Sequence, residues 1–262
     1  MSFKSVASLV ERAWRLPATG FGFAVFFLGS ALMALTVFPA IGLLARDRER
    51  RHEITRKAIR HMFRVYIAML KGLRIISVEI HGTETLGALE GRLIVANHPT
   101  LLDVVLLMAL VPRVQCIVKH ELWQSRYLGG VVRQAGYIRN DLPSEDLLEA
   151  CRASIAEGCN LIVFPEGTRT RPDSPIHFHR GFANIALLTG ADIQTVSIRC
   201  EPMFLMKGQP WWQIPARPPK FTVRVGEFLD IKEAGRDIIR PLAARAVVKR
   251  LERYYAGMSP NG

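Results

Sequence analysis

The chain has 262 residues, 49% of them hydrophobic, and carries 35 Lys and Arg against 23 Asp and Glu, for a net charge of +12. It is too apolar for a disordered chain and long enough for one α/β domain with an appendage. The charge admits nucleic acid, an anionic membrane or an acidic carrier protein as partner, and its distribution decides among them.

Residues 1–74 hold 13 of the Lys and Arg and only 4 of the acidic residues, so most of the excess charge lies at one end. Within that end, residues 16–45 contain no charged side chain. Residues 21–45 are long enough to cross a bilayer at about 1.5 Å per helical residue. Pro39 offers a breaking point, so a re-entrant or interfacial anchor is the competing reading of this segment. Arg46, Arg48, Arg50 and Arg51 make the heavier basic flank, which predicts that the chain following it lies on the cytoplasmic side. Residues 53–71 read as a basic amphipathic helix, with Ile54, Ala58, Ile59, Met62, Phe63, Tyr66, Ile67 and Leu70 on one stripe. Beside a membrane segment that stripe is expected on the headgroup surface; packing on a domain core is the other reading. Basic residues clustered around apolar segments speak against nucleic-acid binding. The organisation expected is a membrane-anchoring segment over residues 1–74 and a catalytic domain over residues 75–262.

In that domain, residues 75–80, 92–96, 114–118, 160–164, 193–198 and 221–225 read as strands. Helical stretches follow them at residues 101–110, from Lys119, at 145–156 with Ser144 as N-cap, at 181–188, and at 232–255 with an interruption near Pro241. The alternation predicts an α/β fold with a mainly parallel central sheet flanked by helices, its functional loops at strand ends. Residues 202–219, rich in Pro and with Trp211 beside Trp212, read as a long loop or lid that meets either the membrane interface or the core. Cys116, Cys151, Cys159 and Cys200 are scattered, without the spacing of a zinc site or a disulfide framework. His177 and His179 would share a face in a strand, but no third metal ligand accompanies them.

Two stretches carry chemistry. In Asn97-His98-Pro99-Thr100-Leu101-Leu102-Asp103, a buried strand ends at a histidine. Pro99 keeps His98 out of the helix, and Asp103 falls in the first helical turn, where a carboxylate is favoured. An aspartate beside an imidazole fixes its tautomer and stabilises the imidazolium formed when the ring takes a proton. In Phe164-Pro165-Glu166-Gly167-Thr168-Arg169, a strand runs into a tight turn. Gly167 permits unusual backbone angles there, and Arg169 offers a planar fork suited to phosphate. No Gly-x-Ser-x-Gly elbow, P-loop or dinucleotide fingerprint occurs.

Together, Asn97-His98-x4-Asp103 and Phe164-Pro165-Glu166-Gly167-Thr168-Arg169 resemble the first and third blocks of the glycerolipid acyltransferases, whose best-known members act on 1-acyl-glycerol-3-phosphate. The similarity covers roughly residues 75 to 230, and Phe178-His179-Arg180-Gly181 is similar to a later family feature. Two blocks depart from the pattern. The second, Gly136-Tyr137-Ile138-Arg139-Asn140-Asp141, is shorter with its charges rearranged. The fourth, Val196-Ser197-Ile198-Arg199-Cys200-Glu201-Pro202, delays its proline. The resemblance implies acyl transfer from acyl-CoA or acyl-carrier protein, both acidic, to the free hydroxyl of a lysophospholipid at an anionic membrane. His98 is then the general base and Asp103 its support, without a cofactor, metal or covalent enzyme intermediate. Glu166, Gly167, Thr168 and Arg169 are implied to position the acceptor's phosphate or glycerol, with Arg139 as a further candidate. The altered blocks leave a different acceptor, such as a lyso-ornithine lipid, as an alternative; a lipid-binding protein without turnover is the alternative of another class.

Overall fold

The computed structural model describes residues 3–126, 128–170, 176–236 and 238–258, with side chains from residue 13 onward. In chain order the elements are α1 (Phe3–Leu35), α2 (Val37–Leu44), α3 (Arg48–Gly72), β1 (Ser77–His81), α4 (Thr83–Ala88), β2 (Leu93–Ala96), α5 (Asp103–Leu110), β3 (Val114–Val118) and α6 (His120–Trp123). They continue with α7 (Gly129–Gln134), β4 (Ile138–Arg139), α8 (Ser144–Ala156), β5 (Asn160–Val163), α9 (Gly181–Thr189), β6 (Ile193–Glu201), β7 (Lys220–Leu229), α10 (Ile231–Ala234) and α11 (Arg240–Ala256).

The strands form one sheet in the order β1-β7-β6-β2-β5-β3-β4. Every neighbouring pair is parallel except β6 and β7, so the expected mainly parallel α/β sheet is present. Its central strand, β2, is buried along its whole length, which is why it reads as a run of apolar residues without alternation. The alternation appears in the packing instead. Ile94 and Ala96 face a core shared with α3 and α5, while Leu93 and Val95 face a second core shared with α9 and α11. Truncating a side chain such as the fully buried Ile94 to alanine costs about 2–5 kcal/mol at sites of this kind.

At the N-terminus, residues Ala13–Leu44 are long and apolar enough to cross a membrane. The helix breaks at Thr36, whose hydroxyl bonds back to the Leu32 carbonyl, and not at Pro39. Pro39 is the third residue of α2, where a missing N–H leaves no intrahelical bond unmade. Ala18 and Phe38 are buried against the domain, whereas Phe27, Leu28, Leu32, Leu43 and Leu44 are exposed.

The apolar stripe of α3 packs on the domain core and not on the headgroup surface expected for it: Ile59, Ile67 and Leu70 are buried there. Its cations explain why. Arg60 donates to the Ala109 and Leu110 carbonyls at the end of α5, and Arg56 donates to the Ala135 carbonyl at the end of α7. Both arginines satisfy C-terminal helix carbonyls that lack intrahelical partners.

Three local expectations change. Residue Ser144 lies inside α8 and makes no capping bond; Pro143 precedes the helix. Pro241 stands in the first turn of α11 and starts that helix; the break falls earlier, between α10 and α11. His177 and His179 lie in irregular chain, not a strand, with His177 3.5 Å from Glu252.

Candidate active site

The site is built where β2 leaves the sheet. Ala96 still pairs with Val196 on β6, but the next rung is made by a side chain. The Asn97 amide donates to the Ile198 carbonyl at 2.8 Å and accepts from the Ile198 N–H at 2.7 Å. Asparagine thus imitates a backbone unit, ending the strand at a fixed point one residue before His98.

His98 Nδ1 lies 2.9 Å from Asp103 Oδ2. Asp103 is fully buried and also accepts from the Thr100 N–H and the Thr100 hydroxyl, both at 2.6 Å. The Thr100 hydroxyl in turn accepts from the Leu102 N–H. Over this Thr-x-x-Asp spacing the carboxylate reaches back to the N–H three residues earlier, as in one half of a capping box, while α5 itself begins at Asp103. Burial pushes the Asp103 carboxyl above its ordinary range, opposed by the hydrogen bonds from His98 and Thr100. A carboxylate at Nδ1 selects the Nδ1–H tautomer and leaves Nε2 with the lone pair of a base. The imidazole packs on the Phe164 ring at 4.4 Å between centroids.

The turn after β5 closes around the same histidine. Gly167 holds φ +66°, and a Cβ there would come within 3.1 Å of the His179 ring, so glycine meets both a conformational and a steric demand. Glu166 Oε1 accepts from the His98 N–H at 3.0 Å and from the Thr170 hydroxyl at 2.8 Å. The Thr170 N–H donates to the His98 carbonyl at 2.7 Å. His98 is therefore held through both of its own peptide groups. Burial raises the Glu166 carboxyl, and the bonds from Thr170 and the His98 backbone pull it back.

The remaining predicted residues fall differently. Thr168 is exposed at the tip of the turn. Arg169 donates from Nη1 to the Leu205 and Met206 carbonyls at 3.0 and 3.1 Å, tying down the 202–219 loop. That loop carries Trp211, packed on Phe23 of α1, and an exposed Trp212. Arg139 is apart from the cluster. It sits on β4, three strands from β2 or about 14 Å by ordinary strand spacing, and grips Asp141 at 2.9 and 2.6 Å. Thr100 and Thr170 join the cluster beside the residues expected there. The Thr-x-x-Asp spacing signalled the first, while nothing local marks the second.

His98 lies on the wall of a cavity of about 1050 Å³. Phe26 and Phe63 from the N-terminal helices, Met108 from α5, and Phe182 from α9 make it apolar, with Lys119 on the wall as a cation. Among the described residues no group of three or more His, Cys, Asp or Glu is arranged to hold a metal. A base at the edge of an apolar cavity suits proton removal from a hydroxyl beside a long hydrocarbon chain.

A histidine held by an aspartate at the end of a parallel strand is the arrangement of a general base, and residues 77–199 match the family model described as Acyltransferase. The match covers 123 of the 262 residues, a little under half of the chain. Among curated proteins the chain is similar to the 1-acyl-sn-glycerol-3-phosphate acyltransferase of Cocos nucifera, 32% identical over 139 residues, or 50% of this chain and 43% of that one. The Helicobacter pylori protein of the same name is 31% identical over 131 residues, 47% of this chain and 52% of its own. The lyso-ornithine lipid O-acyltransferase of Pseudomonas aeruginosa is 35% identical over 107 residues, 40% of this chain and 41% of its own. The chain thus spans about half the length of the curated relatives it matches. In fold it is similar to the crystal structure of the 1-acyl-sn-glycerophosphate (LPA) acyltransferase PlsC from Thermotoga maritima, with a TM-score of 0.64 at 24% identity. That likeness covers 96% of this chain and 98% of the other.

Proposed function

We propose that this protein is a membrane-bound acyltransferase that moves a fatty acyl chain from acyl-CoA or acyl-carrier protein to the free hydroxyl of 1-acyl-glycerol-3-phosphate, giving phosphatidic acid. The observation that carries this reading is the His98–Asp103 pair on the wall of an apolar cavity large enough for a ligand. His98 Nε2 takes the hydroxyl proton, and the oxygen attacks the thioester carbonyl. The tetrahedral intermediate then collapses, the C–S bond breaks, and the thiolate leaves with the proton returned by the imidazolium. Buried Asp103 stabilises that cation without itself taking the proton.

In this reading Glu166 and Arg169 support the acceptor site from behind, because Glu166 Oε1 and Arg169 Nη1 are bonded to the protein. The exposed tip at Gly167 and Thr168, with Lys119 on the cavity wall, receives the acceptor's phosphate. The apolar Ala13–Leu44 segment and the arginines after it hold the domain on the cytoplasmic side of a bacterial inner membrane.

A second reading keeps the chemistry and replaces the acceptor by a lyso-ornithine lipid, favoured by the 35% identity to the Pseudomonas aeruginosa acyltransferase. Competition between the two acceptors for labelled acyl donor, in membranes holding the protein, separates them. Labelled phosphatidic acid as the dominant product supports the first; labelled ornithine lipid with no phosphatidic acid overturns it in favour of the second.

A further inference from the structure

Tyr255, near the end of α11, is more than 150 residues from His98 in sequence and is buried. Its hydroxyl lies 2.7 Å from the Val95 carbonyl on β2 and 3.2 Å from the Val196 carbonyl on β6. A phenol has one proton to donate, so the shorter contact, to Val95, is the stronger bond. Val95 is three residues before His98, and the hydroxyl enters just where β2 and β6 stop pairing through their backbones and Asn97 takes over. The aromatic ring is fixed as well, edge-on to Phe178 at 5.5 Å.

One turn earlier on α11, Glu252 Oε1 accepts from the Phe178 N–H at 2.9 Å. The next residue, His179, donates its N–H to the Pro165 carbonyl at 2.8 Å, and its ring covers Gly167. A single turn of the C-terminal helix thus grips both halves of the site: the strand that projects His98, and the segment that braces the Glu-Gly-Thr-Arg turn. No charged or nucleophilic atom of Tyr255 lies at the reacting centre, so its effect passes through Val95 to the imidazole.

We propose that Tyr255 is a positioning residue for the acyl-transfer base, its hydroxyl fixing the end of β2 from which His98 projects. This rests on the assignment of His98 as base. Tyr255→Phe removes one oxygen and keeps the ring and its packing. Val248→Ala serves as comparator, since Val248 is buried in the same helix and core but makes no polar bond to β2. Each variant is assayed in membranes for acyl transfer to 1-acyl-glycerol-3-phosphate, well below its thermal transition and normalised to folded protein. For Tyr255→Phe the expected result is a kcat about tenfold lower, with KM for donor and acceptor within twofold, the behaviour of a base held slightly out of line. Val248→Ala is expected to lower Tm and keep its kcat. A Tyr255→Phe kcat within twofold of wild type, or a loss of kcat in Val248→Ala as large, overturns the positioning role. Inactive wild-type membranes, by contrast, point to failure of the functional reading itself.

Discussion

Replacing Asp103 by asparagine separates what this carboxylate does for the fold from what it does for the histidine. The volume is conserved, and an amide oxygen in the place of Oδ1 can still accept from the Thr100 hydroxyl, but an amide N–H₂ in the place of Oδ2 faces His98 Nδ1, now 2.9 Å from that oxygen, and leaves the Thr100 N–H without its acceptor. The imidazole is driven to the Nε2–H tautomer and loses its basic lone pair on the cavity side. By analogy with other histidine–carboxylate pairs, kcat is expected to fall by about 10³ to 10⁴. Stability moves the other way with pH. Burial raises the Asp103 carboxyl above its unfolded value, so the folded state binds this proton more tightly than the unfolded chain does, a contribution to stability at low pH. That contribution is complete below the unfolded value, about 3.9, and is lost as pH rises through the folded one, with a slope of up to about 1.4 kcal/mol per pH unit between them. The asparagine variant has no such term. Thermal melts across pH 4 to 8 should therefore show Tm of Asp103→Asn minus Tm of wild type increasing with pH, whatever its starting value. A difference that shrinks as pH rises, or a variant that retains activity, refutes the reasoning.

Three other substitutions follow from the geometry. Glu166→Ala frees the His98 N–H and the Thr170 hydroxyl, and kcat is expected to drop by about 10²-fold, while Glu166→Gln, which keeps an acceptor oxygen, should recover most of it. Gly167→Ala demands a left-handed alanine and pushes on His179; a Tm decrease corresponding to about 1 kcal/mol or more is expected, with reduced turnover. Arg139→Ala removes a surface pair with Asp141 at the sheet edge, and acyl transfer should remain within twofold of wild type in kcat and acceptor KM.

Much of the fold is legible in the sequence because its central strands are buried on both faces and so appear as short uninterrupted apolar runs, β2 and β5 most clearly. The meeting of His98 and Asp103 is legible for a local reason: proline, loop and helix start are all encoded within six residues. The arginines are another matter. Arg56, Arg60 and Arg169 look like cations free for lipid or phosphate, yet each satisfies backbone carbonyls between 36 and 79 residues away. Nothing in a local pattern announces such a partner. The same holds for Glu166, which turns inward to the His98 N–H, and for Tyr255, whose role depends on where α11 crosses the sheet. Arg139 was read from its block alone, whereas strand order decides its distance from the site.

The central claim is that His98 is the base of a thioester-dependent acyl transfer. It is tested most directly by following labelled acyl chain from acyl-CoA and from acyl-carrier protein into 1-acyl-glycerol-3-phosphate, using membranes that hold equal amounts of wild type or His98→Ala. The account predicts labelled phosphatidic acid with the wild type and its loss in the variant, at unchanged expression and membrane association. A His98→Ala protein as active as the wild type would contradict it.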